Sequence, residues 1–219
     1  AADNAAMGYV TASIVGLLEL LAPSRCVGCE LPLTEHERGF CAGCQPLIEL
    51  APSAFRPPAL SAAAYSYGGP IAAAIQGLKY RGRTEHAVIL GQLLAESALA
   101  VAGRVDRVVP MALHPRRLRT RGFNQAALLA GPVAKALGVP LDTRRLWRVR
   151  DTETQAGLTR AGRTSNLRGA FAATDGAGQR VLLIDDVRTT GATLAAAAAA
   201  LLDANHSLVV TLALARADL

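Results

Sequence analysis

The strongest constraint on this chain lies near its carboxyl end. An apolar run, Val181 to Ile184, is followed by a turn, an alanine-rich stretch from about Gly191 to Ala204, and a second apolar run, Leu208 to Ala215. Short apolar runs flanking a helix-length segment predict strand, helix, strand, and a βαβ unit requires a parallel sheet covered on both faces. The fold class is therefore α/β. At 219 residues the chain has room for one such domain plus a small appendage. Hydrophobic residues make up 51% of it but aromatics only 4%, so Leu, Val and Ala build the core and stacking surfaces are few.

Upstream, Ala62 to Tyr67 and Val105 to Val109 read as strands, and Pro70 to Tyr80, Glu85 to Val101 and Asn124 to Leu137 as helices, the last stopped by Gly138 and Pro140. Arg145 to Val149 is a further strand candidate. Between Val109 and Asn124 runs a loop rich in glycine and arginine. The polar stretch Asp151 to Gly169 lacks periodicity and reads as a mobile loop. Met7 to Leu21 carries Glu19, has no basic flank and is too short for a membrane span, so an amphipathic helix is expected within 1–22. A four-cysteine segment (23–50) and a proline-rich linker (51–59) then precede the main domain (60–219). Without an export signal the expected location is cytoplasmic.

The string Val181-Leu182-Leu183-Ile184-Asp185-Asp186-Val187-Arg188-Thr189-Thr190-Gly191-Ala192-Thr193 sets two carboxylates at the carboxyl end of a buried strand, the edge where open parallel sheets bind ligands. Ionised carboxylates only accept hydrogen bonds, so Asp185 and Asp186 suit a pair of sugar hydroxyls. The hydroxyls of Thr189, Thr190 and Thr193, the backbone through Gly191 and Ala192, and the helix dipole suit a phosphate. Helix capping is the simpler reading, but it accounts for one such residue rather than two acids and three threonines.

This string resembles the signature for phosphoribosyl diphosphate (PRPP) in type I phosphoribosyltransferases. The likeness extends through Leu78-Lys79-Tyr80, Val109-Pro110, Arg121-Gly122-Phe123-Asn124-Gln125, Gln155, Arg163, Asn166 and Gly169-Ala170-Phe171, which together resemble the ComF/GntX family. The resemblance implies a type I phosphoribosyltransferase fold behind a cysteine-rich module, PRPP or ribose 5-phosphate bound with Mg²⁺, and an association with competence and DNA uptake. It implies that Asp185, Asp186 and Arg163 serve the reaction. It also assigns substrate contacts to Lys79, Arg116, Arg121, Asn124, Gln125 and Gln155, with Arg116 and Arg121 in the diphosphate loop and Asp151 to Arg168 as a closing loop. A surface lysine at 79 and a solvated basic face are the competing readings. The family has a second proline where this chain has Ala112.

Cys26-Val27-Gly28-Cys29 and Cys41-Ala42-Gly43-Cys44 form two C-x-x-C knuckles, the pattern of a structural tetrahedral Zn²⁺. Reduced unliganded thiols or a redox pair are the alternatives, and His36 is a candidate substitute ligand for which an exposed loop histidine is the better reading. Charge is uneven. Between Arg104 and Arg168 there are 14 Lys and Arg against 4 acids, while the rest of the chain has 9 against 13. That basic stretch wants an anion. It serves a transferase and, equally, a non-catalytic protein that senses PRPP or binds single-stranded DNA, for which Phe123, Trp147 and Phe171 are the stacking candidates.

Overall fold

The computed structural model describes residues 24–52, 60–150 and 169–217. The expected N-terminal helix, most of the linker, and the loop bearing Gln155, Arg160, Arg163 and Asn166 lie outside the described residues.

The expected parallel sheet is present. Strands β1 (Ser61–Ser66), β2 (Arg107–Pro110), β5 (Arg180–Arg188) and β6 (Leu208–Arg216) form a four-stranded sheet in the order β1-β6-β5-β2, with every pair parallel. Helices α1 (Gly69–Tyr80), α2 (His86–Ala98) and α4 (Gln125–Leu137) cover one face, and Ile71, Ile75, Leu78, Leu90, Leu129 and Val133 meet Leu182, Ile184 and Leu212 there. Helix α5 (Ala192–Asp203) and an antiparallel ribbon of β3 (Leu146–Arg148) and β4 (Phe171–Ala173) cover the other, around Val181, Leu183 and Ala213. Burial on both faces is why these strands read as unbroken apolar runs. At the amino edge Arg180 forks onto Asp106, with Nη2 2.7 Å from Oδ1, and this pairing holds the Asp106 carboxyl down to about 2.

Two departures from the sequence reading matter. The glycine-and-arginine loop contains a helix, α3 (Pro115–Arg121), because Pro115 stands at its first position, His114 accepts from the Arg116 N–H, and Gly122 closes it in the left-handed region at φ 82°. The second concerns β5, which does not stop at Ile184. Its pairing with β6 continues from Asp185 with Ala213 to Arg188 with Arg216.

The cysteine segment shares the main core. Cys26, Val27, Phe40 and Cys44 are buried against the α1 side of the domain, and residues 49–51 pair antiparallel with β1 through the Leu50–Tyr65 bridge. Among the described residues no helix is long and apolar enough to cross a membrane.

The contact between α2 and α4 turns on Gly91. A Cβ there would stand 2.7 Å from Pro132 Cγ and 3.1 Å from the Leu129 carbonyl oxygen. Gly91→Val is therefore expected to cost about 2–3 kcal/mol through overpacking. Thermal unfolding should show a midpoint about 5–10 °C lower, and an unchanged midpoint would refute this account of the contact.

Candidate functional site

The site is assembled at the carboxyl edge of β5. Successive side chains of a strand point to opposite faces, and here that alternation separates the two acids. Asp186 turns to the α1 face, where Lys79 in the last turn of α1 brings Nζ within 2.9 Å of Oδ1. Asp186 is only 4% exposed, and its buried Oδ2 has no hydrogen-bond partner among the described residues. Asp185 turns to the α5 face and is half-buried, with Oδ1 accepting the Asp186 N–H at 2.9 Å. Burial, together with the charge of Asp186, pushes the Asp185 carboxyl up to about 8, against the opposing charges of Lys79 and Arg148. The sequence reading gave both acids one role, whereas the geometry gives them different surroundings.

Beyond β5 the backbone turns through Thr189 and Thr190 to Gly191, at φ 79°, and enters α5. Thr190 Oγ1 accepts from the Ala192 N–H at 3.4 Å. The first N–H groups of α5 point back over this turn, as at any helix start. Thr189 is exposed; Thr190, Gly191, Ala192 and Thr193 are half-buried. A groove of about 1170 Å³ starts at Thr190, Gly191 and Ala192 and runs between α5 and β4, past Phe171 towards Asp175 and Asn205.

The loop after β2 forms the next wall. Met111 donates its N–H to the Ile184 carbonyl at 2.7 Å and accepts from Asn124 Nδ2 at 3.0 Å, so the loop stays registered on β5 with Ala112 buried beneath it. Asn124 also caps α4 by accepting the Ala126 N–H. Arg121 is held twice: Nη1 donates to Gln125 Oε1, and the guanidinium lies 5.7 Å from the centre of the Tyr80 ring. Arg116, Arg117 and Arg119 are exposed on α3. The structure thus places Lys79 on Asp186, Asn124 on the loop that follows β2, and Arg121 on Gln125 and Tyr80. Asn124 and Gln125 act there through the groups they hold, and Gln155 and Arg163 lie outside the described residues.

Sequence reasoning missed two residues. Tyr80 is 76% exposed and carries Arg121, although its run was noted for the lysine beside it. Arg148 stacks on Phe171 at 5.4 Å and its charge acts on Asp185. Only its place in a candidate strand pointed to it.

The four cysteines form a separate cluster. Their Sγ atoms all lie within 4.8 Å of one another, with Cys29 and Cys41 at 3.7 Å. A tetrahedron of Zn–S bonds of about 2.3 Å has edges of about 3.8 Å, so the set can hold Zn²⁺. Cys26 Sγ is buried, which opposes ionisation, but N–H groups of Cys41, Cys29 and Gly28 and the Cys29 thiol outweigh this and bring it down to about 7. Gly28 allows the close approach, because a Cβ there would stand 2.8 Å from Pro70 Cβ and 3.2 Å from Cys44 Sγ.

A family model described as phosphoribosyl transferase domain matches residues 124–217. The DNA utilization protein YhgH of Salmonella typhi is 32% identical over 210 residues, covering 84% of this chain and 92% of that protein. Competence protein F of Haemophilus influenzae is 38% identical over 93 residues, 41% of each chain. Among solved structures, glutamine phosphoribosylpyrophosphate amidotransferase from B. subtilis, complexed with ADP and GMP, is 24% identical with a TM-score of 0.38, covering 57% of this chain and 25% of that one.

Proposed function

This chain belongs to the ComF/GntX family, with a type I phosphoribosyltransferase domain behind a four-cysteine segment, and from that premise we propose that it binds PRPP with Mg²⁺ at the carboxyl edge of β5 and transfers the phosphoribosyl group to an acceptor. The observation that carries this is the half-buried Asp185 standing one turn before the Thr189–Thr193 helix start. Asp185 accepts from the ribose hydroxyls, and the threonine turn and the α5 N–H groups receive the 5′-phosphate. Arg121, fixed by Gln125 and Tyr80, faces the leaving diphosphate as the C1′–O bond breaks and positive charge grows on the ring. Carboxylate oxygen and sugar hydroxyls are the hard donors that Mg²⁺ prefers, and Asp185 is the acid open to it. When bound, the ion neutralises leaving-group charge.

Calorimetric titration with PRPP and Mg²⁺ tests the binding, and a screen of nucleobases and amines for diphosphate release tests the transfer. Saturable binding with acceptor-dependent release is expected. No heat and no release would sink the reading.

A second reading is a DNA-binding role in the cytoplasm alongside other competence proteins. It is favoured by the names of the two relatives and by the exposed arginines Arg116, Arg117 and Arg119 of α3. Affinity for single-stranded DNA that falls steeply with salt and persists in Asp185→Asn would place DNA on a surface separate from the sugar-phosphate site.

A further inference from the structure

Lys79 does not stand where a free cation would. Its Nζ is committed to Asp186 Oδ1 at 2.9 Å, with 17% of the lysine side chain and 6% of the aspartate side chain exposed. The pair lies on the face of β5 away from α5, so Asp186 stands behind Asp185 rather than beside it. Its other oxygen, Oδ2, already has no hydrogen-bond partner among the described residues. If Lys79 left to meet an incoming diphosphate, a buried carboxylate would lose the counter-ion it holds at 2.9 Å, which is costly in a dry interior.

The helix that delivers Lys79 is fixed near both ends by the cysteine segment. Pro70 at its start packs on Gly28 at the first knuckle, and Glu30 just after that knuckle pairs with Arg81 at 3.2 Å and with Arg83 at 3.3 Å. Between them, Gly77 lies under the ring of buried His86, where a Cβ would come within 2.7 Å of Cε1. The last turn of α1 has little freedom to slide or rotate, and Lys79 arrives at Asp186 at a set height.

We infer that Lys79 is a positioning residue: from an α1 clamped by the cysteine segment it pins Asp186, and through Asp186 the end of β5 that presents Asp185 to the sugar. This rests on the sugar-phosphate reading of the site and assigns Lys79 a task other than contact with the diphosphate.

Ribose 5-phosphate, which lacks the diphosphate, separates the two roles. Its affinity and that of PRPP with Mg²⁺ are measured by calorimetry on the full chain for wild type, Lys79→Met and Lys79→Arg. Lys79→Met is expected to weaken both ligands by the same factor, roughly 10-fold or more, and to be largely rescued in Lys79→Arg. A loss confined to PRPP, or none, overturns the inference. Thermal unfolding supplies a readout free of ligand: Lys79→Met should lower the midpoint by much less in an Asp186→Asn background than alone, and equal losses overturn the pairing. If wild type bound neither ligand the proposed function would fall, and this thermal cycle would still decide whether Lys79 pins Asp186.

Discussion

Asp185→Asn is expected to lose diphosphate release by roughly 10²–10³-fold while the folded protein becomes more stable. The loss follows from the hydrogen bonds at stake. Two ribose hydroxyls donating to a carboxylate, replaced by one neutral amide oxygen, forfeit about 3–4 kcal/mol. The gain follows from linkage. In the folded chain burial and the neighbouring Asp186 raise this carboxyl from 3.8 to about 8, so between those values the native state holds a proton that the unfolded chain has released. Stability then falls as pH rises through that window, with the full cost present above it. Asparagine has no proton to lose. The stability difference between variant and wild type should widen from pH 4 to pH 8, reaching about 2–6 °C in midpoint, a figure kept small because Asp185 keeps part of its surface in water. Wild-type affinity for ribose 5-phosphate should rise with pH up to about 8 as the acceptor form becomes available, whereas the variant's should stay flat. A variant that keeps its turnover would remove Asp185 from the sugar, and one that loses stability would remove the account of its burial.

The same pair of acids shows how far the sequence reached. The βαβ unit was legible because both faces of β5 and β6 are buried, and only an unbroken apolar run can satisfy that. Ligand-edge placement of Asp185 and Asp186 followed from the chain order alone. Their separation did not, because it depends on β5 running on to Arg188, and that extension comes from pairing with β6 rather than from any residue preference. In a turn the two could share a face; in a strand they cannot. Helix α3 was hidden by its composition, although Pro115 and Gly122, its first residue and its cap, were in plain view. Strand β4 has three residues, too few to show a period. Long-range contacts such as Arg121 over Tyr80 leave no trace in local spacing. The knuckles were legible as a candidate metal site because four thiols at paired short spacing have few other uses, and their Sγ atoms do gather within 4.8 Å of one another. That Cys26, Val27, Phe40 and Cys44 would join the domain core was not, since the segment's own residues are too few to suggest one.

That shared core sets the size of the remaining effect. In a free-standing zinc module the metal supplies nearly all the folding energy, and apparent binding energies of about 10–16 kcal/mol are spent on making a fold. Here part of the segment is held by packing on α1 and by pairing of residues 49–51 with β1, so removing the metal should unravel the knuckles without unfolding the sheet. One zinc per chain is expected by elemental analysis. Stripping it with a chelator at neutral pH should lower the unfolding midpoint by about 10 °C or more, equivalent to several kcal/mol, and adding zinc back should restore it. Substitutions should rank by burial: Cys26→Ser and Cys44→Ser, which leave a hydroxyl in the core, should cost more than Cys29→Ser at the exposed corner. The loss should also reach the sugar-phosphate site, because Gly28 and Glu30 lie on the knuckle that clamps α1 and hence Lys79. Ribose 5-phosphate affinity should therefore weaken on chelation by several-fold, and recover with zinc. Zinc content well below one per chain in protein purified without chelator would refute the ligand assignment. A midpoint indifferent to chelation would refute the role of the metal in holding the helix that carries Lys79.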